Sequence, residues 1–278
     1  MSEAPLDGGD PALHETALVG GDVNVGENVV VRVGDTVRRP VGPHTQLVHA
    51  LLRHFEAVGF DGAPRALGFD ARGREILSFV EGSAALAPIP SGDDVLAALG
   101  GLLRRMHDAQ EGFDAPPDWH DEPLQPPPGV VVGVDDVICH NDVFPPNVIL
   151  RDGMPVALVD WDFASPAPRL YDVASAANHW VPLRPDSQAE SWGLAGVGRP
   201  ERLRLLCDAY GLDAEARLAI LDVVAHRNVL GYETHLVRGG IERLPGWREM
   251  WDAGSGDEML ARAAWFEANR HELRRSLR

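Results

Sequence analysis

The segment at residues 139–164, CHNDVFPPNVILRDGMPVALVDWDFA, constrains this chain more than any other stretch. Two apolar runs flank Asp152-Gly153, and an Asp-Gly pair between apolar runs strongly indicates a β-hairpin with a two-residue turn. The polar residues at the open end of this hairpin are Asp142, Asn147, Asp160 and Asp162. The sequence therefore predicts that a fold built around the hairpin gathers several acidic and amide side chains in one place.

The expected register of the hairpin predicts which of these side chains lie on the same face. A two-residue turn pairs Leu150 with Pro155 and Asn147 with Leu158. Because side chains alternate between the faces of a strand, Asn147 then shares a face with Asp160. Diagonal neighbours on one face lie about 7–8 Å apart, which suits two oxygen ligands that reach toward one metal ion. Amide and carboxylate oxygens are hard ligands of the kind that Mg²⁺ accepts.

Asp142 lies in the loop before the hairpin, where a carboxylate can accept the proton of an attacking hydroxyl. Together with a metal site, this arrangement indicates phosphoryl transfer, which depends mainly on positioning and charge neutralisation. A structural interpretation of each residue is also open: Asp142 caps a turn, Asn147 satisfies loop backbone, and Asp160 ends a strand. The joint spacing favours a functional site over three unrelated structural roles.

The composition limits the class of protein. The chain has 278 residues and 45% hydrophobic content, enough for one large domain or two smaller ones. Its 25 Lys and Arg face 42 Asp and Glu, a net charge of −17, which disfavours nucleic-acid binding. This acidity is compatible with a cationic small-molecule partner, although solubility explains it more simply.

The same survey addresses the cellular compartment. Cys139 and Cys207 form neither a CxxC pair nor a disulfide framework, which fits a reducing environment. The first residues lack the pattern of a signal peptide, and no apolar run has the length of a membrane span. We therefore expect a cytoplasmic protein without a membrane partner.

The order of predicted elements indicates an α+β protein with two lobes. Clustered β-branched residues, a Gly34-Asp35 turn and a helix over 45–58 with Thr45 as its N-cap predict a small antiparallel sheet with one helix. Helical patterns dominate the rest, beginning with a helix capped by Ser91 or Asp93. We expect an N-terminal lobe over 1–80, a hinge near 78–92 and a C-terminal lobe over 81–278. A cleft between two such lobes is a common place for a ligand.

The motif residues resemble those of a known family. His140-x-Asp142, four residues and Asn147, followed by the hairpin that ends in Asp160 and Asp162, is similar to the aminoglycoside phosphotransferase and choline kinase superfamily, which has the bilobal protein-kinase-like fold. That family has glycine at the position of Asn141. The architecture is similar over nearly the whole chain, and the specific motifs cover 139–172. The resemblance implies a Mg²⁺-dependent kinase that transfers the γ-phosphate of ATP or GTP to a hydroxyl of a small acceptor, such as an aminoglycoside, a sugar or an amino alcohol.

The resemblance also implies roles for the motif residues. Asp142 becomes the catalytic carboxylate beside the acceptor hydroxyl, and His140 supports the catalytic loop. Asn147 and Asp160 become the Mg²⁺ ligands, with Asp162 beside them in the metal site.

In the first lobe, the resemblance implies that the loop containing Gly21 covers the nucleotide phosphates. Arg38 is the first choice for the cation that the family supplies as a lysine, with Arg39 next to it. The backbone of Phe79 and Val80 is expected to bind the purine ring.

Other positions fit the family pattern less closely. The helix over 45–58 has Val48 and His49 where the family carries the glutamate that pairs with its lysine. Asp172 resembles a residue that braces the second lobe, although a helix N-cap is an equal interpretation. The missing lysine–glutamate pair keeps a second hypothesis open, a pseudokinase that binds nucleotide or metabolite without turnover. A protein kinase in the strict sense ranks lowest, because the sequence has no DFG, APE or HRD pattern.

Overall fold

A five-stranded antiparallel sheet forms the amino-terminal part of the molecule. The structure is a computed structural model that describes residues 15–18, 30–116, 119 and 136–278. The strands are β1 (Thr16–Ala17), β2 (Val31–Val33), β3 (Thr36–Arg39), β4 (Ala66–Phe69) and β5 (Glu75–Ser78). Their order in the sheet is β1-β2-β3-β5-β4, so β3 and β5 are neighbours at its centre.

Helix α1 (Thr45–Ala57) is the helix expected in this region. Its N-cap residue is His44, so the prediction that Thr45 caps the helix is wrong by one position. The Thr45 hydroxyl instead accepts a hydrogen bond from the Gly42 N–H at 2.8 Å, which fixes the entering turn. The Gly34-Asp35 turn between β2 and β3 is confirmed. Gly21 and the loop around it lie outside the described residues.

The predicted hairpin is present, with one change of register. It consists of β8 (Val148–Arg151) and β9 (Met154–Leu158), joined by Asp152 at φ 53° and Gly153 at φ 79°. Leu150 pairs with Pro155 as expected, but a bulge then pairs Val148 with Leu158. The predicted pairing of Asn147 with Leu158 is therefore wrong, because a bulge inserts one extra residue into one strand.

Three short strands surround the hairpin: β6 (Ser83–Ala84), β7 (Asp136–Cys139) and β10 (Ser165–Pro168). Strand β6 pairs with β8, which ties the segment that follows the first sheet to the hairpin. Strands β7 and β10 pair with each other, so the chain enters and leaves the motif at one place. All the polar motif residues thus lie between two paired strands.

Helices make up most of the remaining described chain. They are α2 (Asp93–Asp108), α3 (Leu170–Trp180), α4 (Asp186–Ala189), α5 (Arg199–Tyr210), α6 (Ala214–His235), α7 (Trp247–Asp252) and α8 (Ser255–Ser276). Helix α2 begins at Asp93 with Gly92 as its N-cap, so the expected caps Ser91 and Asp93 are each one residue off. Its side chains Leu96, Leu99 and Leu103 are fully buried in the core. The α+β fold class is confirmed.

Helix α2 also shows why this core is stable. Its apolar residues recur at helical spacing on one face, and burying a leucine side chain contributes about 1.5–3 kcal/mol. In the part of the chain that the structure describes, no helix is both long and apolar enough to cross a membrane.

Candidate active site

The loop between β7 and β8 carries the motif residues and is held by Asp172 in the first turn of α3. One carboxylate oxygen of Asp172 accepts the His140 backbone N–H at 2.8 Å, and the other accepts that of Asn141 at 2.7 Å. Asp172 is fully buried, and His107 lies 3.0 Å from it. Burial opposes ionisation, but the hydrogen bonds and nearby His107 hold the pKa of Asp172 below its ordinary value. Asp172 is therefore a brace for the loop and not the N-cap of α3, a position that Arg169 occupies.

A buried cluster surrounds this brace. The side chains of His107, Cys139 and Asp172 place their polar atoms within 4.8 Å of one another, a spacing that a metal ion also requires. These atoms already have partners, since His107 Nδ1 lies 2.7 Å from the Tyr210 hydroxyl and the Cys139 thiol donates to the Pro168 carbonyl at 3.4 Å. Burial also raises the pKa of Cys139 well above its ordinary value, which keeps the thiol protonated. The cluster is a structural support for the loop.

His140 uses both ring nitrogens within the loop. Its Nε2 donates to the Val159 carbonyl at 3.0 Å, and its Nδ1 accepts the Asp142 backbone N–H at 3.3 Å. The ring packs edge-on against Trp161, with 4.7 Å between the centroids. Because both ring nitrogens have partners within the motif, His140 supports the conformation of the loop.

The backbone at Asn141 explains its place in the motif. Asn141 has φ 63°, in the left-handed region that glycine adopts freely and that asparagine tolerates better than most residues. Its side-chain amide also donates to the Ser165 hydroxyl at 2.9 Å and to the Phe163 carbonyl at 3.1 Å. Asparagine here keeps the conformation of the family's glycine and adds contacts to the strand that leaves the motif.

This backbone leads to a first prediction. We expect Asn141→Ala to lower the free energy of unfolding by about 2 kcal/mol. Alanine has a higher energy than asparagine in the left-handed backbone conformation, and the variant also loses the amide hydrogen bonds. Asn141→Gly is the matched control, which loses the contacts but adopts the conformation freely. Urea unfolding followed by circular dichroism measures both. A larger loss in the glycine variant than in the alanine variant would contradict a backbone origin of the effect.

Asn147 connects the loop to the end of β9. Its amide nitrogen donates to an Asp142 carboxylate oxygen at 2.7 Å and to the Asp142 carbonyl at 3.1 Å. Its own carbonyl accepts the Val159 N–H at 2.9 Å, directly before Asp160. Asn147 is buried, and its amide oxygen is the atom left for a cation. The structure thus brings Asp142, Asn147 and Asp160 together.

Arg39 reaches this group from the central strand β3. Its guanidinium lies 3.0 Å from Glu75, 3.0 Å from Asp160 and in close contact with Asp162. Although burial opposes protonation, these three carboxylates raise the pKa of Arg39 above its ordinary value. Arg38 points to the other face of the strand, where Asp70 lies 3.9 Å away. Of the two arginines considered, Arg39 is the one that faces the motif.

Glu75 is a site residue that sequence reasoning did not identify. It lies on β5 directly opposite Arg39 and is only 4% exposed. Its second carboxylate oxygen lies 2.9 Å from Nε2 of His49 on α1. Helix α1 therefore contributes a histidine, and strand β5 contributes Glu75, the acid that pairs with Arg39. The sequence did contain a signal for Glu75, which begins the apolar run EILS. An acid in a buried strand needs a partner, so its position there indicates an ion pair.

The acids that follow β9 are more exposed than the buried residues of this centre. Asp160 has φ 65°, and its side chain is 36% exposed, against 58% for Asp162. The Phe79 N–H already donates to the Asp35 carbonyl at 2.8 Å. Val80 lies half-buried between β5 and β6. The Phe79 N–H is thus engaged within the sheet.

Comparisons with known proteins show the family of this chain. The model of a family described as the phosphotransferase enzyme family matches residues 120–206. The trifolitoxin immunity protein of Rhizobium leguminosarum bv. trifolii is 38% identical over 216 residues, which cover 75% of this chain and 78% of that protein. The match to this relative is extensive enough to establish common family membership.

Solved structures show the same fold at low sequence identity. A choline/ethanolamine kinase family protein from Mesorhizobium loti superposes with a TM-score of 0.54 at 15% identity and covers 92% of each chain. An amicoumacin kinase in complex with AMP-PNP, Ca²⁺ and Ami superposes with a TM-score of 0.59 at 15% identity, over 89% of this chain and 86% of that one. The fold is that of protein-kinase-like phosphotransferases, and the chain belongs to the phosphotransferase enzyme family.

Proposed function

We propose that this protein is a Mg²⁺-dependent small-molecule kinase that transfers the γ-phosphate of ATP or GTP to a hydroxyl of its acceptor. One observation carries the proposal: Asn147 binds Asp142 through its side chain at 2.7 Å and Val159, next to Asp160, through its backbone at 2.9 Å. Asn147 therefore fixes the position of Asp142, the proposed proton acceptor, and also that of Asp160. Asp160 and the amide oxygen of Asn147 itself are the two proposed metal ligands. Such an arrangement serves phosphoryl transfer, where positioning and charge supply most of the catalysis.

The donor set at this centre fits a magnesium ion. The amide oxygen of Asn147 and the carboxylates of Asp160 and Asp162 are hard oxygen ligands, and Mg²⁺ selects few protein oxygens beside water and phosphate. We assign Asn147 and Asp160 as ligands and Asp162 as a flanking acid. When bound, the ion would neutralise charge on the nucleotide phosphates.

The chain's own groups supply the other steps. Asp142 lies on the rigidly braced loop and accepts the proton of the acceptor hydroxyl while the acceptor oxygen bonds to the γ-phosphorus. The bond from that phosphorus to the β–γ bridging oxygen breaks in the same step, and ADP or GDP leaves. Arg39 donates hydrogen bonds to the nucleotide phosphates after exchanging its contacts with Asp160 and Asp162. Glu75 and His49 keep Arg39 oriented during this exchange. We place the nucleotide against the sheet lobe at residues 1–80 and the acceptor against the helical lobe at 81–278.

The Arg39–Glu75 pair favours turnover over a binding-only pseudokinase. The sequence lacks the lysine and glutamate of the family pattern, but the structure contains a partly buried cation paired with a buried acid at 3.0 Å. Arginine presents a planar fork that suits phosphate oxygens. We therefore assign Arg39, and not Arg38, to the phosphate-contacting role.

The relatives suggest a biological setting. One relative in sequence is a protein named for immunity to trifolitoxin, and one structural neighbour is an amicoumacin kinase. We propose that phosphorylation by this protein protects the cell against a toxin or antibiotic.

Thermal unfolding tests the nucleotide–metal site. We expect Mg²⁺ with ATP or GTP at 100 times its Kd to stabilise the protein by about 2.7 kcal/mol. Asp160→Ala should abolish this Mg²⁺-dependent shift because it removes a proposed ligand. The control is Asp114→Ala, which removes an exposed carboxylate outside the motif and should keep the full shift. A full shift in Asp160→Ala, or no shift in the wild-type protein with either nucleotide, would contradict the proposal.

A further inference from the structure

One arginine of the helical part of the molecule reaches the loop between β7 and β8. Arg227 lies on α6, and a terminal nitrogen of its guanidinium donates to the Asn141 carbonyl at 2.6 Å. This carbonyl belongs to the peptide group that joins Asn141 to Asp142, the proposed proton acceptor. A side chain from a distant part of the sequence therefore contacts the backbone immediately before the proposed catalytic carboxylate.

The Asn141–Asp142 peptide group has a partner at each of its polar atoms. Its carbonyl accepts from Arg227, and its N–H donates to His140 Nδ1 at 3.3 Å. The residue before it has φ 63°, outside the backbone regions that most residues prefer. Because rotation of this peptide group swings the side chain of Asp142, its two contacts determine where the carboxylate points.

The peptide group on the other side of Asp142 is held as well. Its N–H, which belongs to Val143, donates to the Ser175 hydroxyl on α3 at 3.0 Å. Its carbonyl, which belongs to Asp142, accepts from the Asn147 amide at 3.1 Å. Helices α3 and α6 therefore each contribute a residue that fixes one of the two peptide groups beside Asp142.

Packing alone does not explain an arginine at this position. Arg227 is half-buried 5.9 Å from the centre of the Tyr171 ring, and its second terminal nitrogen is buried without a partner among the described residues. Burial lowers the pKa of Arg227, although Asp172 and Asp142 favour its charged form. An apolar side chain would pack on Tyr171 without burying a charge, and such replacements are often neutral or stabilising. An unpaired buried donor on a buried cation needs a reason beyond stability.

We propose that Arg227 is a positioning residue that fixes the Asn141–Asp142 peptide group and thereby aims the Asp142 carboxylate at the acceptor hydroxyl. The inference rests on the proposed kinase function, and it gives Arg227 no contact with nucleotide, metal or acceptor. A displacement of about 1 Å in a reacting group costs about 100-fold in rate, so the loss of this contact has a measurable effect on turnover.

Backbone hydrogen exchange tests the positioning without any acceptor. Arg227→Met removes the donor and the charge but keeps an unbranched side chain beside Tyr171. We expect the amides of Asp142 and Val143 to exchange about tenfold faster in this variant, because a hydrogen bond from a charged group is lost, while amides within α3 and α6 keep their wild-type rates. Exchange of the individual amides is measured by NMR.

Two further variants serve as references in the exchange experiment. Arg227→Lys keeps a cationic donor and should restore most of the protection. Arg217→Met is the matched control, because Arg217 donates to the Leu212 carbonyl at 3.0 Å from the same helix, ten residues or about 15 Å from Arg227. This variant should leave exchange in the loop unchanged. Wild-type exchange of the loop in Arg227→Met, or equally faster exchange throughout α3 and α6, would overturn the proposal.

Turnover separates positioning from a purely structural role. The probe is ADP formation from Mg²⁺ and ATP with water as the acceptor. In this reaction Asp142 takes a proton from the water, the water oxygen bonds to the γ-phosphorus, and the bond to the β–γ bridging oxygen breaks. Arg227→Met should lower kcat about 10–100-fold at an unchanged KM for ATP, and Arg227→Lys should recover most of this loss. Arg217→Met should turn over like the wild type.

A double-mutant cycle shows whether Arg227 acts through Asp142. In the Asp142→Asn background, Arg227→Met should lower kcat by less than about threefold, because the group that it positions is already inactive. An unchanged kcat in Arg227→Met, a raised KM for ATP, or the full additional loss in the Asp142→Asn background would overturn the proposal. A wild-type protein that forms no ADP would count against the kinase function and not against the positioning, which the exchange rates then decide.

Discussion

Asp142→Asn is expected to lower kcat by about 10²–10⁴-fold, the usual contribution of a general base. The change preserves shape, and the new amide oxygen still accepts the Asn147 hydrogen bond found at 2.7 Å in the wild type. Only the capacity to take up the acceptor proton is removed. Steady-state turnover with an acceptor that the wild-type protein phosphorylates measures the loss.

Binding measurements separate this effect from damage to the site. The Mg²⁺-dependent thermal shift with ATP or GTP should remain in Asp142→Asn, because the carboxylate is not a proposed ligand of the ion or the nucleotide. Asp114→Asn is the matched control and should leave turnover unchanged. Wild-type turnover in Asp142→Asn would remove Asp142 from the role of proton acceptor.

Asp172→Ala should reduce the free energy of unfolding by about 3–5 kcal/mol, a loss of the size expected when a buried charged group is taken away from its partners. The substitution leaves the backbone N–H groups of His140 and Asn141 without their acceptor and deprives His107 of its buried partner. Urea unfolding monitored by tryptophan fluorescence measures the loss.

An exposed ion pair supplies the comparison. Asp108 pairs with Arg104 and Arg169, each at 2.7 Å, but its side chain is 47% exposed. Exposed pairs contribute about 0–1 kcal/mol, so Asp108→Ala should have a small effect. Equal losses in Asp172→Ala and Asp108→Ala would mean that Asp172 does not brace the loop through buried hydrogen bonds.

The sequence predicted the parts of the fold whose conformation is determined by residues close together in the chain. The Asp152-Gly153 turn and helix α1 depend on nearby residues, and both are present. The register beyond Leu150 was not predictable, since the bulge depends on how β8 packs against β6 as well as β9. The left-handed conformation of Asn141 likewise becomes clear only in the folded loop, although the family's glycine at that position indicated it.

The parts that were missed depend on distant contacts. Arg38 and Arg39 are adjacent in sequence, and only the orientation of β3 in the sheet decides which of them faces Asp160. Glu75 becomes the partner of Arg39 because β5 lies beside β3.

The contact between Arg39 and the acids after β9 supplies these acids with a counter-ion from the protein itself. Asp160 and Asp162 share the guanidinium of Arg39, whose single positive charge offsets part of theirs. Under the proposed function, loading of nucleotide and metal is an exchange of one cation for another, so the electrostatic free energy of the site changes less than it would if a cation were added to carboxylates without a partner. The same exchange would break an ionic contact between the first sheet and the segment after the hairpin, which would couple the proposed loading to the position of the sheet through one side chain.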